Sequence, residues 1–263
     1  MKIAISGKGG TGKTTLAGTL ARVFAQKGYK VLAIDADPAM NLAYSLGIKK
    51  DVIAKVIPLC ENKELVEERT GIKIDGVFGV AFSLTPKVDD IVDKFGIKGP
   101  DGIALLIMGT VKSGGIGCMC PANALLRALL RHLFIERNEI VIMDMEAGLE
   151  HLGRGTAKGA DVLFIVVEPG IQSIETAIRI KKLGEDIGIS KFIVIGNKVK
   201  SLKDEEFLKE KISKANLGLL YSIPYDEKII EADMLRIAPI DYAKDSKAIK
   251  AIKILGDLLI NLS

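Results

Sequence analysis

The stretch Gly7-Lys8-Gly9-Gly10-Thr11-Gly12-Lys13-Thr14-Thr15 decides the fold. It stands directly after the apolar run Lys2-Ile3-Ala4-Ile5-Ser6 and directly before a helical pattern at about 13–27. It satisfies G-x-x-x-x-G-K-[ST] in the strand, loop, helix context that this pattern requires. Glycines let such a loop curl until its backbone N–H groups converge on phosphate oxygens, and the positive end of the following helix adds its dipole. Lys13 is expected to reach the β- and γ-phosphates of a nucleoside triphosphate, and Thr14 to bind Mg²⁺.

Outward from this loop, short apolar runs recur at 2–6, 30–35, 102–108, 139–144, 162–168, 191–197 and 219–224, with helical patterns at about 122–136, 173–187, 203–214 and 244–262. Strands that read as near-continuous apolar runs and alternate with helices predict an α/β fold: a doubly wound, mostly parallel sheet flanked by helices. At 263 residues and 48% hydrophobic content, the chain suits a single domain over 1–263. An irregular insertion is expected at about 45–100, with helix-like pieces near Glu64–Arg69 and Val88–Phe95. Lys+Arg 37 against Asp+Glu 33 is near balance and shows no block of like charge, so no nucleic-acid partner is expected. The sequence starts in a strand-like run without a charged, apolar leader, and no stretch approaches the ~18 apolar residues of a spanning helix. These features predict a cytoplasmic location and no membrane partner.

Lys8 is a second lysine near the start of the loop, and GKGGTGKTT thereby resembles the deviant Walker A family of MinD, ParA and nitrogenase iron protein, a group of P-loop ATPases. The resemblance implies that Lys8 reaches across a dimer interface to the partner's nucleotide, supplying in trans the charge stabilisation of an arginine finger. It also implies that Asp35-Ala36-Asp37-Pro38 is a first switch segment in which Asp37 orients the attacking water. Asp144-Met145-Glu146-Ala147-Gly148 looks like the Walker B aspartate with a second switch, placing Asp144 beside Thr14 on Mg²⁺. Catalysis would then rest on Lys8, Lys13 and Asp37. ATP would be bound by Gly7, Lys8, Gly9, Gly10, Thr11, Gly12, Lys13, Thr14 and Thr15. A guanine-reading N-K-x-D motif needs an acid where Lys200 stands in Asn197-Lys198-Val199-Lys200, so adenine is expected, read by Asn197. Pro224, in Ser222-Ile223-Pro224-Tyr225, is expected in the other wall of the base pocket; an ordinary turn is the alternative reading of that segment.

Gly114-Gly115-Ile116-Gly117-Cys118-Met119-Cys120-Pro121 opens an amphipathic helix, and Pro121 in the first turn puts Cys120 at or near its N-cap. The helix dipole there lowers a thiol's pKa and favours thiolate ligation of a soft or borderline metal. Two thiolates do not complete a tetrahedral site. If the ATP-bound protein is a two-fold dimer with these loops near its axis, Cys118 and Cys120 of both chains make a shared Cys₄ site for Ni²⁺ or Zn²⁺. Cys60, His132 and His151 are read as structural.

Together GGIGCMCP, LLRALLRHL, DMEAGLEHLGRGT and VVEPG resemble the CooC branch, the accessory ATPases of nickel carbon monoxide dehydrogenase. That resemblance implies a homodimer when ATP is bound, metal held by the cysteine pair, and nickel delivery to a Ni–Fe–S cluster of carbon monoxide dehydrogenase or a related nickel enzyme. The alternatives are a MinD/ParA-type positioning ATPase acting on membrane or DNA, and an iron–sulfur cluster carrier. For the first of these the C-terminal stretch Lys247–Leu262 would be a membrane-surface helix; it is read instead as a closing helix packed on the sheet.

Overall fold

The computed structural model describes residues 1–37, 39–71, 83–109, 121–136, 139–146, 149 and 159–261. Its centre is one eight-stranded sheet: β1 (Lys2–Gly7), β2 (Val31–Ala36), β3 (Ile97–Lys98), β4 (Ala104–Ile107), β5 (Ile140–Met145), β6 (Val162–Val167), β7 (Phe192–Val199) and β8 (Leu219–Pro224). The spatial order is β3-β4-β2-β5-β1-β6-β7-β8. Every neighbouring pair is parallel except β3 with β4. Each apolar run read from the sequence overlaps a strand. The antiparallel edge strand β3 was not anticipated, because two residues, Ile97 and Lys98, carry no periodicity.

β1, β2, β5 and β6 are buried along their whole length, which explains why they read as continuous apolar runs. Their alternate residues nevertheless enter two different cores, because successive side chains point to opposite faces. Ile3, Ile5, Ala33, Ile142 and Phe164 face one layer, while Ala4, Leu32, Ile34, Met143 and Ile165 face the other.

The helices are α1 (Lys13–Gln26), α2 (Leu42–Leu46), α3 (Lys50–Ile53), α4 (Lys63–Thr70), α5 (Ile91–Phe95), α6 (Pro121–Arg131), α7 (Ile171–Ile187), α8 (Leu202–Lys214), α9 (Glu227–Leu235), α10 (Pro239–Tyr242) and α11 (Lys247–Asn261). Local chemistry sets several boundaries. Asn62 caps α4 by accepting from the Leu65 N–H at 3.0 Å, and Ser201 with Asp204 forms a capping box on α8. Within 45–100, Leu65, Val66, Ile91 and Val92 enter the same core as β4 and α6, so α4 and α5 pack against the sheet.

α1, α2 and α11 cover the first core layer, and α4, α6, α7 and α8 the second. α11 buries Ile249, Ile252, Leu255 and Leu259, and Gly256 lies so close to α1 that a Cβ there would stand 2.9 Å from Val23 Cγ1. The C-terminal stretch is thus a closing helix. Among the described residues no helix is long and apolar enough to cross a membrane.

The far half of α1 is fixed by Arg22, which is 5% exposed. Its guanidinium donates to both carboxylate oxygens of Asp241 at 2.9 Å, to Asp101 and to the Leu46 carbonyl at 2.9 Å. One buried cation therefore ties α1 to α2, α10 and the turn before β4, with its charge compensated by two carboxylates.

Candidate functional site

The carboxyl ends of β1, β2, β5, β7 and β8 open onto one side of the sheet, where the loop Lys8–Gly12 joins β1 to α1. Gly10 and Gly12 have φ of 80° and 94°, the left-handed region that glycine enters without steric cost. At Gly12 a Cβ would stand 2.3 Å from Asn197 Nδ2, so both backbone conformation and space demand glycine. The Lys8 carbonyl accepts from Thr11 Oγ1 at 2.9 Å and from Lys13 Nζ at 3.2 Å. Lys13 is 6% exposed, and Lys8 Nζ donates to Gln172 Oε1 on α7 at 2.9 Å.

Across from the loop stand two carboxylates, Asp35 at the end of β2 and Asp144 at the end of β5, which are register partners in the sheet and fully buried. Burial above all pushes both carboxyls up to about 7; the neighbouring Asp144 adds to the rise at Asp35, while the Thr14 hydroxyl and the Lys13 charge oppose it at Asp144. Thr14 Oγ1 donates to Asp144 Oδ2 at 2.6 Å, and Asp144 Oδ1 has no hydrogen-bond partner among the described residues. A hydroxyl and a carboxylate with an unsatisfied oxygen form an oxygen-only donor set, which fits a hard cation such as Mg²⁺.

Asp37 follows β2 in a short loop. Its Oδ1 accepts from the Ala39 N–H at 2.8 Å, and its own N–H donates to Asp35 Oδ1 at 3.2 Å. Asp35 Oδ2 accepts from the Leu42 N–H at 3.0 Å, at the start of α2. Asp35 thus holds both ends of the loop that carries Asp37. Sequence reading missed this role and treated Asp35 only as part of the acidic run; its place as the last charged residue of an otherwise apolar strand was the available signal.

A cleft of about 180 Å³ lies beside the loop, lined by Gly12, Thr15, Asn197, Lys198, Pro224 and Tyr225 among others. Thr15, Asn197 and Pro224 therefore come together at one cleft. Asn197 also does something that sequence reading did not foresee: its Nδ2 donates to the Thr11 carbonyl at 2.7 Å, and its Oδ1 accepts from the Lys198 N–H at 2.9 Å. Lys200, the residue that departs from the guanine motif, places its ammonium 4.3 Å from the centre of the Tyr225 ring at the same strand ends.

Cys118, Cys120 and His151 lie outside the described residues, as do Pro38, Ala147 and Gly148. Cys60 is half-buried against the core, with its N–H on the Met108 carbonyl at 3.0 Å, and His132 lies in the turn that ends α6. Among the described residues no three His, Cys, Asp or Glu side chains group as a metal site.

A family model described as the CobQ/CobB/MinD/ParA nucleotide binding domain matches residues 2–251. The chain is 48% identical over 264 residues to an ATP-binding protein of Methanocaldococcus jannaschii, covering 100% of this chain and 98% of the other. It is 44% identical over 241 residues to the carbon monoxide dehydrogenase accessory protein CooC of Rhodospirillum rubrum, covering 92% and 90%. Among solved structures, a ParA family ATPase from Chlorobium tepidum superposes with a TM-score of 0.71 at 19% identity, covering 97% of this chain and 96% of that one. The MinD cell division protein of Aquifex aeolicus gives 0.68 at 21% identity, covering 100% and 97%. At such identities these structures speak for the fold alone.

Proposed function

The chain belongs to the CobQ/CobB/MinD/ParA nucleotide-binding family and is an ATPase, and from that premise we propose that it is an ATP-driven accessory protein that delivers nickel to a carbon monoxide dehydrogenase. The observation that carries the proposal is the 44% identity to CooC over 92% of the chain. The cysteine pair Cys118 and Cys120, which a purely nucleotide-handling protein does not need, supports it.

In this reading the backbone of Gly7–Thr15 and the ammonium of Lys13 hold the β- and γ-phosphates, with the helix dipole of α1 behind them. Thr14 and Asp144 would hold Mg²⁺, which would supply charge neutralisation for the phosphates. Asp37 orients the attacking water, and its loop is kept in place by Asp35. Adenine enters the cleft between Asn197 and Pro224. Lys8, half-buried at the mouth of the loop and held by one hydrogen bond from its ammonium to the neutral Gln172 amide, can exchange Gln172 for a second subunit's phosphates. A two-fold dimer formed that way brings the cysteine pairs of both chains together around one Ni²⁺ or Zn²⁺ as cargo.

The test is activation of a nickel-free carbon monoxide dehydrogenase under limiting nickel with Mg-ATP. The account expects CO oxidation to rise with the wild-type protein, and not with Lys13→Ala or with Cys118→Ser/Cys120→Ser. Equal activation by the double serine variant would remove the cysteine pair from delivery, and no activation by wild type would remove the client.

A further inference from the structure

Lys198 sits in the left-handed region with φ of 58°, at an irregularity where β7 slips its register against β8 between Gly196 and Val199. A long side chain in that conformation carries a steric cost that glycine or asparagine largely avoids, so something in the fold compensates it. The compensation is visible at the other end of the side chain. Lys198 Nζ donates to the Gly10 carbonyl at 2.6 Å and lies 3.3 Å from Glu168 Oε2 at the end of β6.

Its neighbour does the same one residue along, since Asn197 Nδ2 donates to the Thr11 carbonyl at 2.7 Å. Two consecutive side chains of β7 therefore grip two consecutive carbonyls of the loop. This matters because a loop that turns its N–H groups toward phosphates must turn its carbonyls away from them, and an outward carbonyl needs a donor of its own. Gly10, with φ of 80° and open space around its Cβ position, has no side chain to resist a peptide flip that would aim its carbonyl at the ligand.

From this geometry we infer that Lys198 is a positioning residue of the nucleotide site: its ammonium, braced by Glu168, fixes the Gly10 peptide so that the loop is preformed for phosphate, and the strain at its backbone is retained for that purpose. The inference rests on reading Gly7–Thr15 as the phosphate loop. Preorganisation of this kind acts on affinity rather than on the chemical step, since it lowers the cost of ordering the loop around ATP.

The experiment compares Lys198→Ala, Lys198→Gly and Lys198→Arg for ATP dissociation constant by fluorescence titration with an N-methylanthraniloyl-ATP probe, for KM and kcat, and for thermal midpoint. Loss of a charge-assisted hydrogen bond should raise the dissociation constant and KM about tenfold in the alanine and glycine variants, with kcat at saturation changed less than about threefold. Arginine should restore affinity to within about threefold, because it keeps a cation at the same reach. The glycine variant should melt at or above the alanine variant, because it relieves the left-handed strain that alanine keeps. Glycine therefore separates strain from anchoring: a stable Lys198→Gly protein that binds ATP as wild type overturns the inference, and so does an arginine variant as weak as alanine. Lys13→Ala in the same assay keeps the two readings apart. If it binds ATP normally the phosphate-loop reading fails, whereas if it loses binding while the Lys198 variants do not, only the role of Lys198 fails.

Discussion

The phosphate loop and the carboxylate wall that faces it are built on opposite principles. In the loop the chain satisfies its own polar groups: the carbonyls of Lys8, Gly10 and Thr11 each accept from a side chain, and the left-handed positions Gly10 and Gly12 are glycines. In the wall, Asp35 and Asp144 are buried side by side at a cost, with both carboxyls held far above their ordinary range and one oxygen of Asp144 unpartnered among the described residues. On the proposed reading, affinity for phosphate would belong to the loop, and dependence on cation and pH to the wall.

The comparison breaks most sharply at Lys13. Replacing it with alanine removes the point charge nearest the terminal phosphates, so ATP affinity should fall a hundredfold or more on the order expected for such a contact. Isothermal titration measures it, and a variant with wild-type affinity would show that the loop does not hold the phosphates. Asp37→Asn, on the other side, should leave ATP affinity within about threefold while slowing hydrolysis about a hundredfold, because an amide keeps the shape but polarises water poorly. Single-turnover phosphate release separates the two effects, and an unslowed variant would exclude Asp37 from the chemistry.

A smaller effect concerns the wall alone. Asp35 and Asp144 have folded-state pKa values near 7, above the ordinary value of 3.8, so between those limits the folded protein binds more protons than the unfolded chain. Stability of the metal-free protein should therefore be fully present near pH 4, decline as pH rises toward 7 and level off above it. Asp144→Asn should flatten that decline and stabilise the metal-free protein by about 1–3 kcal/mol, while weakening its Mg²⁺ dependence. Urea midpoints recorded from pH 4 to 8 decide the matter; a stability that rises over that range in wild type would contradict the buried-carboxylate account.

The fold was largely legible in the sequence for a physical reason. A strand buried on both faces has to be apolar along its length, so Lys2–Ser6, Glu139–Asp144 and Val162–Glu168 stand out without any periodicity test. The short pieces were not legible: β3, α2 and α3 are two to five residues long and owe their shape to what they pack against. At the site, the loop residues were legible because their spacing is fixed by backbone geometry. The functions of Asp35 and Lys198 were not, because each acts by hydrogen-bonding a backbone group whose position only the fold sets. Asn197 shows both limits at once, since its role at the base was read from the Asn197-Lys198-Val199-Lys200 segment, whereas its grip on the Thr11 carbonyl was not.

Nickel stoichiometry tests the proposal that the nucleotide site draws two chains together around a shared metal. Equilibrium dialysis against Ni²⁺, run beside light scattering with and without Mg-ATP, measures metal per chain and association together. One Ni²⁺ per two chains is expected, bound more tightly with ATP than without, with an equal enhancement of ATP-driven dimerisation by the metal, since linkage makes the coupling reciprocal. One tightly bound Ni²⁺ per single chain, or full binding by Cys118→Ser/Cys120→Ser, would contradict it.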